Sequence, residues 1–265
     1  MARPTRLVLL GHPVSHSLSP RIQNAALRSA GIPLEYAALD VPPTEFDAAL
    51  TALIAEGAAG NATIPHKEAL AARASLTPLA RRAGAANTFW VDGPTLHADN
   101  TDVAGFDAAV RALLGGPPSG AVVVVGAGGA AAAVLAAIEQ WNGATALVHA
   151  RNAERVARLC ARFPGIAREA PSLPDALSHA RMVVNTTPVG MSDETHPVDL
   201  AIVPRRASVV DLVYRPGGTA WSRAAAARGH ASCDGLPMLV EQGAAAFERW
   251  FGIRADRGAM SRSLS

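Results

Sequence analysis

The stretch Ala121–Ile138, AVVVVGAGGAAAAVLAAI, decides the fold. Its consecutive valines ahead of the glycines fit a strand buried on both faces, and the alanines after them fit a helix. The run is apolar enough to pass for a membrane span, but three glycines interrupt it and alanine is only weakly hydrophobic. It reads as strand, turn, helix. The turn, Gly126–Ala131, spells G-x-G-x-x-A between the strand and the helix. A tight turn there lets backbone approach a diphosphate, and the helix start offers it unpaired N–H groups. Gly126, Ala127, Gly128, Gly129 and Ala130 are therefore the candidate cradle of a dinucleotide.

The next strand reports on which dinucleotide. An NAD site places Asp or Glu near its end, about 20 residues past the glycines, on the ribose 2′-hydroxyl. Here that strand ends His149-Ala-Arg-Asn-Ala-Glu-Arg155, with no acid at the tip. Arg151 stands there and Arg155 follows one helical turn later, two guanidiniums suited to a 2′-phosphate. Ala150, Arg151, Asn152 and Arg155 are candidate cofactor contacts, and NADP is the expected cofactor rather than NAD.

Outward from this unit, short apolar runs alternate with helical patterns, the signature of parallel α/β architecture. Arg6–Leu10 reads as a strand, Ser19–Ala30 as a helix with Pro20 in its first turn, and Leu34–Val41 as a strand. Thr44 opens the next helix with Asp47 three residues on, a capping-box spacing. A third strand ends at Pro65, Lys67 starts a helix, ANTFWV is a further strand, and HADNTDVAGF leads into a helix ending at Leu114. Leu114–Gly120, LGGPPSG, has the composition of a linker. Beyond it VVVV, ALVHA, MVVN and SVVDLVY read as strands, and Leu236–Phe251 as a helix with an apolar stripe. The tail after Gly252 reads as frayed.

Composition narrows the classes. Hydrophobic residues at 49% and charged residues at 17% supply ample core, and 265 residues suit two modest domains or one large one. A net charge of +2 and 5% aromatics, with no basic run carrying aromatics, argue against a nucleic-acid partner. Cys160 and Cys233 lie far apart without a C-x-x-C spacing, which fits a reducing compartment and gives no metal site. The apolar run LVLL falls short of a signal-peptide core of about 7–15 residues, so no export signal, no membrane and a cytoplasmic location are expected. Monomer and homodimer both stay open.

Four polar stretches resist a packing explanation: Gly11–Pro20, Asn61–Lys67, Gly84–Thr88 and Asp99–Asp102. Each sits at the end of an apolar strand, where α/β proteins build sites. Of seven asparagines, Asn61, Asn87, Asn100 and Asn185 fall at such ends. Lys67 is the only lysine, against 23 arginines. Arginine holds its charge at any working pH, whereas lysine can release a proton, so a lone lysine among hydroxyls, amides and a carboxylate reads as a proton-handling group. The set reads as a pocket for a small polyhydroxylated acid.

The motifs then run in a familiar order: G-x-P-x-x-H-S-x-S-P, N-x-T-x-P-H-K, G-A-x-N-T, DNTD with G-F, the G-x-G-G-A turn, N-T-T-P-x-G-M, D-L-V-Y-x-P and D-G-x-x-M-L-x-x-Q. Over nearly its whole length the chain resembles the shikimate dehydrogenase family. The resemblance implies reversible reduction of 3-dehydroshikimate to shikimate with NADPH, on the way to chorismate and the aromatic amino acids. It implies that Lys67 and Asp102 handle the proton and that Ser17, Ser19 and Tyr214 hold the carboxylate. Thr63, Asn87 and Gln242 would bind ring hydroxyls, with Leu212, Gly235 and Met238 beside the nicotinamide. It further implies a substrate domain over residues 1–103, completed by 237–265. A Rossmann-type NADP domain would span 104–236, with the active site in the cleft between the two.

Three positions depart from the family pattern. Gln23 stands where a histidine is usual, Ala62 where valine is common, and Ala150 where the cofactor motif Asn-Arg-Thr/Ser has its asparagine. Gln23 points toward a relative acting on quinate or an aminoshikimate. A quinate/shikimate dehydrogenase using NAD, a non-catalytic shikimate-sensing relative and another Rossmann reductase are the alternative readings. The Ser17–Ser19 pair speaks against the last and an intact Lys67 and Asp102 against the sensor.

Overall fold

The computed structural model describes residues 3–265; the first two residues of the N-terminal stretch read for an export signal lie outside them. The chain opens with β1 (Leu7–Gly11), α1 (Ser19–Ser29), β2 (Tyr36–Asp40), α2 (Phe46–Ala55), β3 (Ala59–Ala62) and α3 (Lys67–Arg73). Next come β4 (Ser75–Leu76), α4 (Pro78–Ala83), β5 (Thr88–Asp92), β6 (Thr95–Asp99) and α5 (Thr101–Leu114). The second series is β7 (Gly120–Val125), α6 (Gly129–Ile138), β8 (Ala144–His149), α7 (Ala153–Arg162), β9 (Ala167–Glu169) and α8 (Leu173–Ser178). It continues through β10 (Ala180–Asn185), β11 (Ser208–Asp211), α9 (Ala220–Ala227) and β12 (Ser232–Cys233), and closes with α10 (Leu236–Phe251) and α11 (Arg257–Arg262). Two compact units result: one runs to Gly105 and resumes over Leu239–Ser265, the other is Phe106–Met238. The α/β class expected from the sequence is the class observed.

The first unit holds a six-stranded sheet in the order β2-β1-β3-β5-β6-β4. β1 runs parallel to β2 and β3, while β5 is antiparallel to both β3 and β6. Two reversals return β6 to the direction of β1 and β3. The C-terminal ends of β1, β3 and β6 and the N-terminal end of β5 therefore share one edge of the sheet, and the polar stretches gather there. Beneath it, Val8, Leu10, Phe46, Leu50, Leu70 and Phe89 form a buried core.

The second unit holds a fully parallel sheet in the order β12-β11-β10-β7-β8-β9. The chain winds from β7 outward through β8 and β9, then returns to the other side of β7 with β10. That reversal is the topological switch point at which open α/β sheets bind ligands. Val122–Val125 are buried, and α6 is buried along its whole run from Ala131 to Ile138. A helix buried all round has no polar face, which is why the sequence there is alanine with a few larger apolar residues.

Several local expectations are corrected. Thr44 does not cap a helix: a short 3-10 turn occupies Pro43–Glu45, and α2 starts at Phe46 without a side-chain cap. The tail after Gly252 is not frayed. Asp256 accepts from Ala259 N to cap α11, Met260 is fully buried, and Arg257 pairs with Glu241 and Glu248. β6 escaped the sequence reading because a two-residue loop, Gly93-Pro94, folds it back antiparallel on β5, with Asp92 opposite Thr95. The pattern of alternating parallel strands and helices leaves no place for such a hairpin. β4, α4, β9, α8, α9 and β12 were likewise too short to show a period.

Candidate active site

Turn geometry brings Lys67 to the shared edge of the first sheet. Thr63 N donates to Leu10 O at 2.8 Å, and His66 N to Thr63 O at 2.7 Å, so the chain turns back on itself between β3 and α3. The imidazole of His66 is buried, stacks on Phe46 and has Nε2 2.7 Å from Val41 O, pinning the turn against the end of β2. A backbone carbonyl only accepts, so Nε2 carries the hydrogen. Burial, the largest influence, holds the His66 pKa below the usual imidazole value; the Val41 bond opposes it and His12 adds to it. Lys67 follows as the first residue of α3.

Asp102 lies in the first turn of α5, where the unpaired N–H groups of a helix start favour a carboxylate. Lys67 Nζ donates to Asp102 Oδ2 at 2.6 Å, and Asn87 Nδ2 donates to Asp102 Oδ1 at 2.8 Å. The second Nδ2 hydrogen of Asn87 goes to Gln242 Oε1 at 3.2 Å. Its Oδ1 accepts from Thr101 N at 2.7 Å and from Thr101 Oγ1 at 3.1 Å. Every polar atom of the Asn87 amide is engaged, so its orientation is fixed, and with it that of the carboxylate. Asn61 turns inward, accepting from Tyr36 Oη and donating to Asn87 O. It braces the strand edge, and Asn100 does the same for the next loop by donating to Ala85 O and accepting from Asp102 N.

The other candidates of this unit sit on the same edge or on α10. Ser17 Oγ accepts from Ser19 N at 3.2 Å in the turn that leads into α1, leaving the Ser17 hydroxyl hydrogen uncommitted by that bond. Thr63 packs its methyl over Gly11, where a Cβ would come within 2.5 Å of it. Gln242 donates from Nε2 to Leu239 O at 2.9 Å. Lys67, Asp102, Asn87 and Gln242 are thus joined in one hydrogen-bonded network, while the loop of Ser17 and Ser19 adjoins that of Thr63 through paired strands β1 and β3.

In the second unit the glycine turn sits at the switch point. Gly126 has φ +122°, and a Cβ there would collide with Thr186 Oγ1. Thr186 is tied to the turn by bonds from its N and Oγ1 to Val125 O, at 2.9 and 2.8 Å. A side chain at Gly128 would meet nothing in the protein, and α6 starts at Gly129 with no side-chain cap. The turn is thus tight, open on its outer side and tipped with free N–H groups. Those are the features a diphosphate needs, and the residues fit a dinucleotide.

Arg151 and Arg155 are exposed at the end of β8 and the start of α7, and neither pairs with a carboxylate among the described residues. Asn152 caps α7 by accepting from Arg155 N at 2.9 Å, and Ala150 is half-buried beside it. Gly235 lies against Leu212, whose carbonyl leaves no room for a Cβ. Met238 is buried and Tyr214 half-buried, both in this unit, whereas Ser17 and Ser19 belong to the first.

Thr186 and Asn185 are site-building residues that the sequence reading left without a role, although N-T-T-P-x-G-M marked them. Asn185 Nδ2 donates to Asp211 Oδ1 at 2.8 Å, and its Oδ1 accepts from Thr187 N and Oγ1. Asp211 also accepts from Thr219 Oγ1 and Val213 N. Burial outweighs these bonds and raises its carboxyl pKa. Burial also pushes the Cys160 and Cys233 thiols up to about 11 and about 12, which disarms both as nucleophiles. Among the described residues no group of His, Cys, Asp and Glu could hold a metal, and no helix is long and apolar enough to cross a membrane.

Residues 9–89 match the shikimate dehydrogenase substrate binding domain, and residues 235–264 match the shikimate 5′-dehydrogenase C-terminal domain. A shikimate dehydrogenase (NADP(+)) of Methylobacterium radiotolerans is 43% identical over 260 residues, covering 94% of this chain and 92% of the relative. The chain belongs to the shikimate dehydrogenase family. The shikimate dehydrogenase crystal structure from Aquifex aeolicus superposes with a TM-score of 0.91 at 32% identity, over 98% of this chain and 97% of that one. The Thermus thermophilus shikimate 5-dehydrogenase in complex with NADP(H) and shikimate gives 0.88 at 38% identity, covering 98% of both chains.

The family departures acquire physical content here. Gln23 is fully buried on α1 and donates from Nε2 to Gly243 O at 2.9 Å, tying α1 to α10, while its Oε1 has no partner. Gly243 is the close-approach point, since a Cβ there would come within 2.7 Å of Ile22 Cδ1. Ala62 is buried at the end of β3, donating through its N to Asn87 O at 2.9 Å.

Proposed function

We propose that the protein is an NADP-dependent shikimate dehydrogenase that interconverts 3-dehydroshikimate and shikimate, acting on a soluble small molecule in the cytoplasm. The observation that carries this reading is the Lys67–Asp102 ion pair, held in register by Asn87, in a chain with no other lysine. Reducing a ketone to an alcohol needs a hydride at carbon and a proton at oxygen. The hydride would come from NADPH held by this chain, and would return to NADP in the reverse direction. The proton belongs to the protein. Lys67 Nζ donates it to the developing alkoxide and recovers it when shikimate is oxidised. Asp102 Oδ2 orients the ammonium, and Asn87 stops the carboxylate from rotating away.

Binding is divided between the two units. Ser17 and Ser19, at the mouth of α1, hold the carboxylate. Thr63, Asn87 and Gln242 read the ring hydroxyls, and a hydroxyl that binds there exchanges with the Asn87–Gln242 bond instead of finding idle donors. Gly126–Ala130 would receive the diphosphate, Arg151 and Arg155 the 2′-phosphate with Ala150 and Asn152 beside it, and Leu212, Gly235 and Met238 would hold the nicotinamide.

A spectrophotometric assay of shikimate oxidation, with NADP and NAD in parallel and quinate as the competing substrate, tests the proposal. Fast turnover with NADP and shikimate, and little with NAD or quinate, is the expected outcome. A preference for NAD would remove the 2′-phosphate role from Arg151, and absence of turnover with every pair would reject the activity.

A further inference from the structure

At the opposite edge of the second sheet from the glycine turn, where β7, β10 and β11 begin, lies a surface cavity of about 550 Å³. Arg181, Arg205 and Arg206 line it, together with Ser119 and Ser208. None of the three guanidiniums pairs with a carboxylate among the described residues. Two of them are held instead by carbonyls: Arg205 donates to Arg228 O at 3.0 Å and Arg206 to Ser178 O at 2.9 Å. Such bonds fix where a guanidinium sits without neutralising it, and leave the rest of its donor fork available.

The backbone is built around Arg181. β10 slips register against β7 between Ala180 and Met182, so Arg181 occupies the irregularity, a device that re-aims a side chain. Opposite it, Gly120 takes φ +97°, and a Cβ there would come within 3.2 Å of Arg181 Cγ. Bulge and glycine together admit the arginine stem to the cavity wall. Three like charges converging on one concavity repel one another, and a bound anion relieves that repulsion while accepting bidentate hydrogen bonds.

We propose that this cavity is a second anion site, distinct from the dinucleotide turn, that takes a soluble phosphorylated molecule carrying at least two anionic groups. Three positive charges exceed what a single phosphate monoanion offsets, and a volume of about 550 Å³ has room for a polyphosphate or a small phosphorylated metabolite. Occupancy would tie together the starts of β10 and β11 and so stabilise this unit.

Calorimetric titration of pyrophosphate into the full-length chain, at constant ionic strength and with NADP present at saturation, tests the proposal. The expected result is one additional site, at least about tenfold weaker in the double variant R181A/R206A and weaker again by about tenfold when orthophosphate replaces pyrophosphate. Both arginines are exposed, and unchanged NADP binding by the variant would verify that its fold is intact. Equal pyrophosphate affinity in wild type and variant would overturn the site, whether or not NADP occupies the glycine turn. Absence of any binding by the wild type would do the same. Equal affinity for orthophosphate and pyrophosphate would overturn the requirement for two anionic groups.

Discussion

Lys67 Nζ stands 2.6 Å from Asp102 Oδ2 although 35 positions separate them in the chain. The pair is largely shielded from solvent, with side chains 17% and 7% exposed. An arginine at position 67 keeps the charge but releases no proton at working pH. Lys67→Arg is expected to lower kcat by roughly 10²–10⁴-fold, the usual worth of general acid–base catalysis. Shikimate affinity, measured by equilibrium titration, should change far less. Normal turnover in this variant would end the proton-transfer role.

Besides its proposed contact with a ring hydroxyl, Asn87 orients Asp102, and two replacements probe that positioning. Asn87→Ala strands Asp102 Oδ1 and Thr101 N, both of which it now satisfies. Leaving buried polar groups unpaired costs about 1–3 kcal/mol each, so urea unfolding should register a loss of that order. Asn87→Asp is the sharper probe, since it sets a second carboxylate against Asp102. Its kcat should fall well below that of Asn87→Ala, and should recover in part as pH is lowered and the new carboxyl protonates. Equal rates for the two variants at every pH would deny the coupling.

The glycine turn offers a paired test. Gly126 is confined both by φ +122° and by Thr186, whereas Gly128 adopts an extended conformation open to any residue and faces empty space. Gly126→Ala should therefore lower thermal stability, by about 1–3 kcal/mol for a strained backbone, along with NADP affinity. Gly128→Ala should leave the melting temperature unchanged and weaken NADP by about tenfold or more, because its methyl fills the space kept for phosphate. A Gly128→Ala protein with unaltered NADP affinity would place the diphosphate elsewhere.

What sequence carried and what it did not divides along physical lines. The run of valines, glycines and alanines at 121–138 betrays its conformation because strand, turn and helix each impose a composition, and β7 and α6 follow it closely. Lys67 was conspicuous through rarity. The Asn87–Gln242 bond was invisible, because residues 155 apart meet only when α10 packs against the first sheet. The antiparallel β5–β6 hairpin was equally hidden, and without it the parity that brings Asp102 to the edge of Lys67 could not be worked out. α11 read as a frayed tail because its anchors, Glu241 and Glu248, lie on another helix.

Gln23 decides whether the histidine departure bears on substrate. Its amide is spent on Gly243 O inside a helix–helix contact, and its Oε1 is buried without a partner. Gln23→Leu removes one useful donor and one unsatisfied acceptor together, and these oppose each other. The unfolding free energy should move by no more than about 1 kcal/mol. The ratio of kcat/KM for shikimate over quinate should stay within about twofold of wild type, since the side chain braces α1 against α10. A several-fold change in that ratio at unchanged stability would make Gln23 a specificity residue.

His66 supplies the pH dependence. Its folded pKa is lowered by burial, whereas the imidazole of the unfolded chain titrates near about 6.5. Between those two values the unfolded chain binds a proton that the folded chain refuses, so stability rises with pH across that window. The contribution of a neutral, buried His66 is complete above about 6.5 and is lost as pH falls through the folded value. His66→Gln retains a side-chain donor that can reach Val41 O but does not titrate. Denaturant unfolding of both proteins from pH 7.5 down to 5 should show the wild type losing its advantage over His66→Gln as pH drops. A gap that stays constant with pH would mean that burial does not keep the His66 imidazole from taking up a proton in the folded chain.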